Sequence, residues 1–201
     1  KSKYRGVETI GAYFDVQNRL TENLYTTFGM RFDENDHVGN EDSHRVSFAY
    51  LTDNKKTKIH GTYGTSYRFP SLYENFQVWS GVFSGNMTAE VGKSHDIGIG
   101  RSFFLNKLNL DLTYFHHEYS DPLEGWKDTA SDTNTFYHNQ NGYIKSEGLE
   151  LGGGWLASDN LNFNLSYTLS RTFDGADADD ASNADGNTGG TGGGAFIDTR
   201  L

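Results

Sequence analysis

Alternation of apolar and polar residues with a period of two is the feature that most constrains this chain. Within residues 161–171, the odd positions up to 169 carry Leu, Phe or Tyr, and the even positions carry Asn, Ser or Thr. Because successive side chains of a β-strand point to opposite faces, this pattern predicts a strand with one apolar and one polar face. The pattern occurs in eight segments, which are residues 9–20, 24–33, 43–51, 59–67, 95–103, 108–117, 144–155 and 161–171.

The connections between these predicted strands alternate in length. Residues 21–23, 53–56, 104–107 and 157–160 are short polar turns, whereas the connections between them are much longer. Tight turns at one end and long loops at the other are typical of bacterial outer-membrane barrels. We therefore predict an all-β fold, an antiparallel transmembrane β-barrel segment of about eight consecutive strands.

The composition supports a membrane barrel over a close-packed soluble core. Hydrophobic residues are 35% of the 201 residues and aromatic residues 14%, with a mean hydropathy of −0.68. Charged residues on the predicted polar faces suit a water-filled or plugged lumen better than a dry core. No run reaches the roughly 20 apolar residues of a membrane helix, so a barrel is the predicted way across a bilayer. The predicted interfacial aromatic residues are Tyr50, Tyr63, Tyr67, Tyr114, Trp155 and Tyr167.

Several functional classes are disfavoured. A formal charge of −10 with scattered basic residues argues against nucleic-acid binding, and the absence of cysteine excludes disulfides and thiolate zinc sites. His116 and His117 occupy adjacent strand positions, so they point to opposite faces and cannot jointly chelate one ion. No nucleophile triad, phosphate-binding glycine loop or isolated carboxylate pair stands out, and we predict that the chain is not an enzyme.

The residues that end the fourth predicted strand carry a resemblance to a known family. Residues 66–72 read SYRFPSL, which resembles the S-Y-R-x-P-S-L marker that opens a long external loop in the TonB-dependent outer-membrane receptors. Residues 87–98, 115–123 and 137–150 resemble three further segments of the family, in the family's order. Ala89 replaces the usual Pro and Gly92 the usual Ser in the first of these three.

The resemblance implies a parent barrel of about 22 strands in the outer membrane of a Gram-negative bacterium. Residues 1–201 would be a fragment from its C-terminal half, without the plug domain, the first strands and the closing strands. The family implies transport of a scarce bulky ligand such as vitamin B12 (cobalamin) or a ferric siderophore, with TonB, the plug and outer-membrane lipid as partners. The resemblance leans toward the vitamin B12 receptor branch, although siderophore receptors share these markers.

Candidate ligand contacts lie on the long connections. Aromatic residues there could stack on a ring-shaped ligand, or pack the loops against one another or against lipopolysaccharide. Arg68, Arg45 and Glu150 are candidates for plug or lumen contacts, and for Arg68 a structural ion pair at the barrel wall is favoured over a plug contact. The candidate ligand residues are Phe76, Trp79, Phe83, Trp126, Phe136 and Tyr137.

The segment 174–194 is predicted to be an acidic, glycine-rich external loop. Its aspartates offer the hard oxygen ligands that Ca²⁺ prefers, but their spacing departs from the EF-hand pattern, and such composition is typical of disorder. No other cofactor is expected. The candidate calcium ligands are Asp177, Asp179, Asp180 and Asp185.

Two other interpretations fit part of the pattern. An eight-stranded barrel could close on itself and serve a structural or adhesive role, because eight strands enclose an interior that side chains can fill. Residues 195–201, which look like the start of a ninth strand, argue against it. A soluble β-rich binding module would instead pack the apolar faces of two sheets against each other.

Overall fold

A computed structural model of the protein describes residues 6–75, 87–127, 135–176 and 194–198. Within these residues the chain is almost entirely β-structure, with a single short helix, α1 (Leu72–Asn75). The strands are β1 (Thr9–Arg19), β2 (Leu24–Asn35), β3 (Gly39–Leu51), β4 (Thr57–Arg68), β5 (Glu90–Phe103), β6 (Leu108–Ser120), β7 (Leu123–Lys127), β8 (Thr135–Asn139), β9 (Gly142–Ser158), β10 (Leu161–Ala176) and β11 (Gly194–Asp198).

Nine strands form one antiparallel sheet in the order β1-β2-β3-β4-β5-β6-β9-β10-β11. The remaining two, β7 and β8, form a separate hairpin within the connection from β6 to β9. All eight predicted strands are present, and β11 confirms the ninth strand that residues 195–201 indicated. In the described part of the chain, β1 and β11 are not paired with each other, so the sheet is open and is not a closed small barrel.

The prediction of a long connection at residues 34–42 is wrong. The sheet pairing continues to Asn35 and Gly39, which leaves a three-residue turn in which the Asn35 side-chain oxygen accepts the backbone N–H groups of His37 and Val38. This turn lies at the same end of the sheet as the long connections, so the lengths do not alternate strictly. The hydrophobic pattern missed the extension because backbone pairing does not require apolar side chains.

Apolar side chains line one face of the sheet and remain exposed. The register places Ile99, Leu112, Leu151 and Tyr167 side by side across four strands. In the residues described, Met87 and Ala89 are the only buried apolar side chains apart from Pro70 and Pro122, and no second sheet packs on this face. The stacked-sheet core that a soluble module requires is therefore not found.

The predicted interfacial aromatic residues share the apolar face, with one correction. Trp155 stacks on its cross-strand neighbour Phe163, with ring centroids 5.6 Å apart, near the tight-turn end of the sheet. Tyr67 differs, because its hydroxyl donates to Asp33, which also accepts a hydrogen bond from Arg31. Tyr67 therefore belongs to a polar cluster, since the alternation that assigned it to the apolar face says nothing of where a long side chain ends.

Candidate functional site

Arg68 joins two carboxylates at the point where β4 ends. Its Nη1 lies 3.1 and 3.2 Å from the two carboxylate oxygens of Glu74, and its Nη2 lies 3.1 Å from Glu90 Oε2. Both carboxylates are largely buried, at 13% and 19% side-chain exposure, whereas Arg68 is 48% exposed. The guanidinium thus places one positive charge between two carboxylates and reduces their mutual repulsion. This is the structural ion pair that was one of two predictions for Arg68.

Helix α1 holds Glu74 in place through a capping box. The Ser71 backbone N–H donates to Glu74 Oε2 at 2.6 Å, and the Glu74 N–H donates to Ser71 Oγ at 3.3 Å. A serine followed three residues later by glutamate satisfies backbone donors that a helix N-terminus leaves unpaired. The sequence after Pro70 therefore fixes the carboxylate that Arg68 binds.

The connection from β6 to β9 forms hydrogen bonds with Glu90 and with the residues that precede it. Glu90 Oε2 also accepts the backbone N–H of Leu123 at 3.3 Å, at the start of β7. Asn139, at the end of β8, accepts the Thr88 N–H at 2.8 Å and donates to the carbonyls of Thr88 and Asp121. We call Arg68, Glu74, Glu90 and Asn139 the loop-base clamp. Arg68, Glu90 and Asn139 come from three of the four segments that carry the family resemblance, and the fourth, residues 115–123, supplies the backbone groups of Asp121 and Leu123 that the clamp binds.

An aromatic contact connects the two loops above the clamp. The rings of Tyr73 in α1 and Tyr137 in β8 meet edge to face, with centroids 5.9 Å apart. Tyr137 is a predicted ligand contact, whereas sequence reasoning missed Tyr73, which is 61% exposed. Its place in the stretch that follows Pro70 was the available signal. This pair is the described part of a surface on which a ring-shaped ligand could stack.

The other predicted ligand contacts are described only in part or not at all. Trp126 and Phe136 are paired in register across the β7–β8 hairpin, but their side chains lie outside the described residues. Among the predicted site residues, those wholly outside the described ranges are Phe76, Trp79, Phe83 and the four candidate calcium ligands Asp177, Asp179, Asp180 and Asp185. Within the described ranges, no group of three or more His, Asp or Glu side chains could hold a metal ion.

Polar side chains on the other face of the sheet bridge alternate strands across glycines. Arg45 Nη2 in β3 lies 3.3 Å from Asp15 Oδ2 in β1, and Gly29 stands between them in register. His60 Nε2 in β4 lies 3.3 Å from Asp111 Oδ2 in β6 in the same way, across β5. A side chain on the middle strand would obstruct each bridge.

Glu150 occupies the same polar face without forming such a bridge. It lies opposite Thr113 and Thr168 in register, and in the part of the chain that is described it forms no ion pair. Both Arg45 and Glu150 thus lie on the predicted lumenal face. Their contact with a plug stays a prediction.

The ion pair between Arg68 and Glu74 predicts that ligand binding depends on pH. Burial favours the protonated form of Glu74, but hydrogen bonds from Ser71 and Arg68 outweigh it, so the pKa of Glu74 is lowered. A lowered pKa means that the stabilisation is complete above the usual glutamate pKa and is lost as pH falls through the lowered value. Ligand binding to the full-length protein, measured by calorimetry across this acidic range, should weaken with falling pH. A Glu74→Gln variant should lose part of this dependence, and an unchanged profile would contradict the prediction.

Comparison with known proteins gives a consistent family match. A family model described as "TonB dependent receptor-like, beta-barrel" matches residues 2–196. No curated protein sequence matches the chain. In the described residues, no helix has the length and apolar character needed to span a membrane.

Solved structures share the fold at low sequence identity. The siderophore receptor PirA from Pseudomonas aeruginosa superposes with a TM-score of 0.72 at 18% identity, over 83% of this chain and 32% of that one. The FrpB iron transporter from Neisseria meningitidis gives a TM-score of 0.66 at 18% identity, over 84% of this chain and 26% of that one. The copper transporter OprC gives a TM-score of 0.67 at 15% identity, over 84% of this chain and 30% of that one. The chain therefore spans about a third or less of the length of these structures.

Proposed function

Because the chain belongs to the TonB-dependent receptor β-barrel family, we propose that it is part of an outer-membrane receptor that imports a scarce, bulky metal chelate. In this proposal the ligand is a ferric siderophore or a related chelate such as cobalamin. TonB and the receptor's plug domain act on the same barrel, and the whole receptor carries out transport rather than catalysis.

The single observation that carries the proposal is the loop-base clamp. Arg68 and Glu90 tie the connection between β4 and β5 to the start of β7, and Asn139 ties the end of β8 to the same connection. Two long connections that share one base can hold a common ligand surface in a fixed arrangement. Preorganised loops bind more tightly because less conformational entropy is lost on binding.

The two faces of the sheet support a barrel in a membrane. The exposed apolar face has the composition of a lipid-facing wall, and the opposite face carries charged bridges such as Arg45–Asp15 that suit a hydrated lumen. A membrane location also accounts for large apolar side chains that no other part of the described chain covers. The outer membrane of a Gram-negative bacterium is the location that family membership favours.

The choice of ligand can be tested by competition. The full-length protein, expressed in a strain that lacks its own receptors for these ligands, should take up radiolabelled ferric siderophores in a TonB-dependent manner. An excess of about tenfold of cyanocobalamin should leave this uptake unchanged if the ligand is a siderophore. Uptake of radiolabelled cyanocobalamin, without uptake of the siderophores, would instead favour the cobalamin branch. Uptake of neither ligand, or uptake without TonB, would refute the proposal.

A further inference from the structure

The apolar face changes character toward the long-loop end of the sheet. Beyond the apolar row of Ile97, Tyr114, Leu149 and Leu169, the next positions on the same face are titratable in all four strands. They form two rows, which we call the outer polar rows. The first contains His95, His116, Glu147 and Arg171. The second contains Lys93, Glu118 and Lys145, with the apolar Phe173 at the β10 position.

The first row is a connected cluster. The rings of His95 and His116 stack with centroids 4.7 Å apart, and His116 Nδ1 lies 3.4 Å from Glu147 Oε2. Tyr114 donates to the same oxygen at 3.3 Å, and Arg171 donates from Nε to Glu147 Oε1 at 2.7 Å. These groups therefore share one face, since they contact one another across three strand pairs.

The depth of the outer polar rows follows from the strand geometry. Trp155 and Glu147 are eight residues apart on β9, which at a rise of about 3.4 Å per residue and a tilt of about 40° corresponds to roughly 20 Å of height. Lys145 lies roughly 5 Å higher on the same estimate. The apolar band of such barrels is about 25 Å tall from its lower aromatic girdle. The rows thus fall at the rim of the band, at the level of lipid head groups.

The cations of these rows have unused donor capacity. Arg171 has a side chain that is 64% exposed, and its contacts with Glu147 leave Nη1 uncommitted. Lys145 Nζ lies 3.6 Å from Glu118 Oε2 and 5.3 Å from the centroid of the Tyr143 ring, and it donates no hydrogen bond in the described structure. Lys93 is exposed and forms no hydrogen bond or ion pair within the described ranges. Three cations thus face two carboxylates here, in a chain whose net charge is −10.

We propose that Lys93, Lys145 and Arg171 form a binding site for the phosphate groups of lipopolysaccharide in the outer leaflet. Lys93 and Lys145 stand two strands apart, about 10 Å, so they can contact separate phosphates of one lipid. Arginine and lysine donors at a membrane surface are attracted to phosphate through charge-assisted hydrogen bonds. The site uses the outer wall of the sheet, and it rests on the proposed membrane location but not on the identity of the transported ligand.

Lipid binding by the full-length receptor tests this site. In non-ionic detergent, lipopolysaccharide should bind the protein and raise its unfolding temperature, and enzymatically dephosphorylated lipopolysaccharide should do so far less. The combined variant Lys93→Gln, Lys145→Gln, Arg171→Gln should lower the affinity about tenfold, since each surface cation contributes modestly and two are already paired. The variant Lys93→Gln alone should lower it about threefold without removing any ion pair of the described structure.

Lys58→Gln is the matched control, because Lys58 lies on the polar face, opposite Gly100 in register. It should bind lipopolysaccharide as the unchanged protein does. Equal affinity of the combined variant and the unchanged protein would overturn the proposal, as would binding that ignores the phosphates. Binding that depends on added Ca²⁺ and not on the three cations would overturn it too. Siderophore binding measured in the same detergent reports separately on the proposed transport function.

Discussion

Replacing Arg68 with alanine should weaken binding of the proposed ligand to the full-length protein about 5- to 30-fold, which corresponds to about 1–2 kcal/mol. The substitution leaves the carboxylates of Glu74 and Glu90 close together and without their shared cation. Loss of a buried pair's partner can cost more than this, but Arg68 is nearly half exposed, so solvent screening reduces the effect. Isothermal titration with the proposed ferric siderophore measures the change.

Arg68→Lys is the informative control. Lysine keeps the charge but cannot reach two carboxylates with a planar fork, so we expect an intermediate loss of affinity. Unfolding of the barrel itself should change little in either variant, because Arg68 and Glu90 are the last pair of the β4–β5 ladder and lie beyond the end of the β4 pairing with β3. Unchanged ligand affinity in Arg68→Ala would show that the clamp does not position the loops.

Replacing Gly148 with alanine should destabilise the barrel by about 1–3 kcal/mol, the usual cost of forcing extra atoms into a closely packed position. A Cβ at this position would collide with the carbonyl oxygen of Leu169 and lie 2.7 Å from the ring of Phe115. The carbonyl belongs to the neighbouring strand and cannot move without disturbing the sheet. The folded fraction is measured by heat-modifiable migration and by denaturant titration of the full-length protein.

Gly152→Ala provides the matched control in the same strand. Gly152 lies two pleat repeats further along the same face of β9, and the nearest atom to its added Cβ would be Asp111 Cβ at 4.0 Å. This variant should fold as well as the unchanged protein. Similar losses in both variants would mean that strand propensity, rather than the collision at Gly148, determines the effect.

The clamp illustrates how far a sequence motif can be interpreted. Four segments resembled the family, and Arg68 was a candidate contact, but nothing in the sequence paired it with Glu74 and Glu90. The capping box of Ser71 and Glu74 was visible as a spacing, whereas the contact of Asn139 with Thr88 joins residues 51 positions apart. Contacts of that kind depend on strand register, which no local pattern specifies.

The outer polar rows show which strand residues a hydrophobic pattern fails to detect. The predicted strand in residues 95–103 started where its apolar residues did, so Lys93 was left outside, and β5 in fact begins at Glu90. The alternation continues through these residues, but with charged side chains on the face that is apolar lower down. A search for apolar residues therefore detects the lipid-facing part of each strand and omits the remainder.

The sequence by itself determined the strand class, the strand order along the chain and the two-faced character of the wall. These follow from a period of two, because each strand displays its own faces without help from distant residues. Only the tertiary structure decided the short turn between β2 and β3, the clamp that joins two loops, and the polar bridges over Gly29 and across β5. Each of these depends on which residues become neighbours across strands, and that register is set by the pairing of the whole sheet.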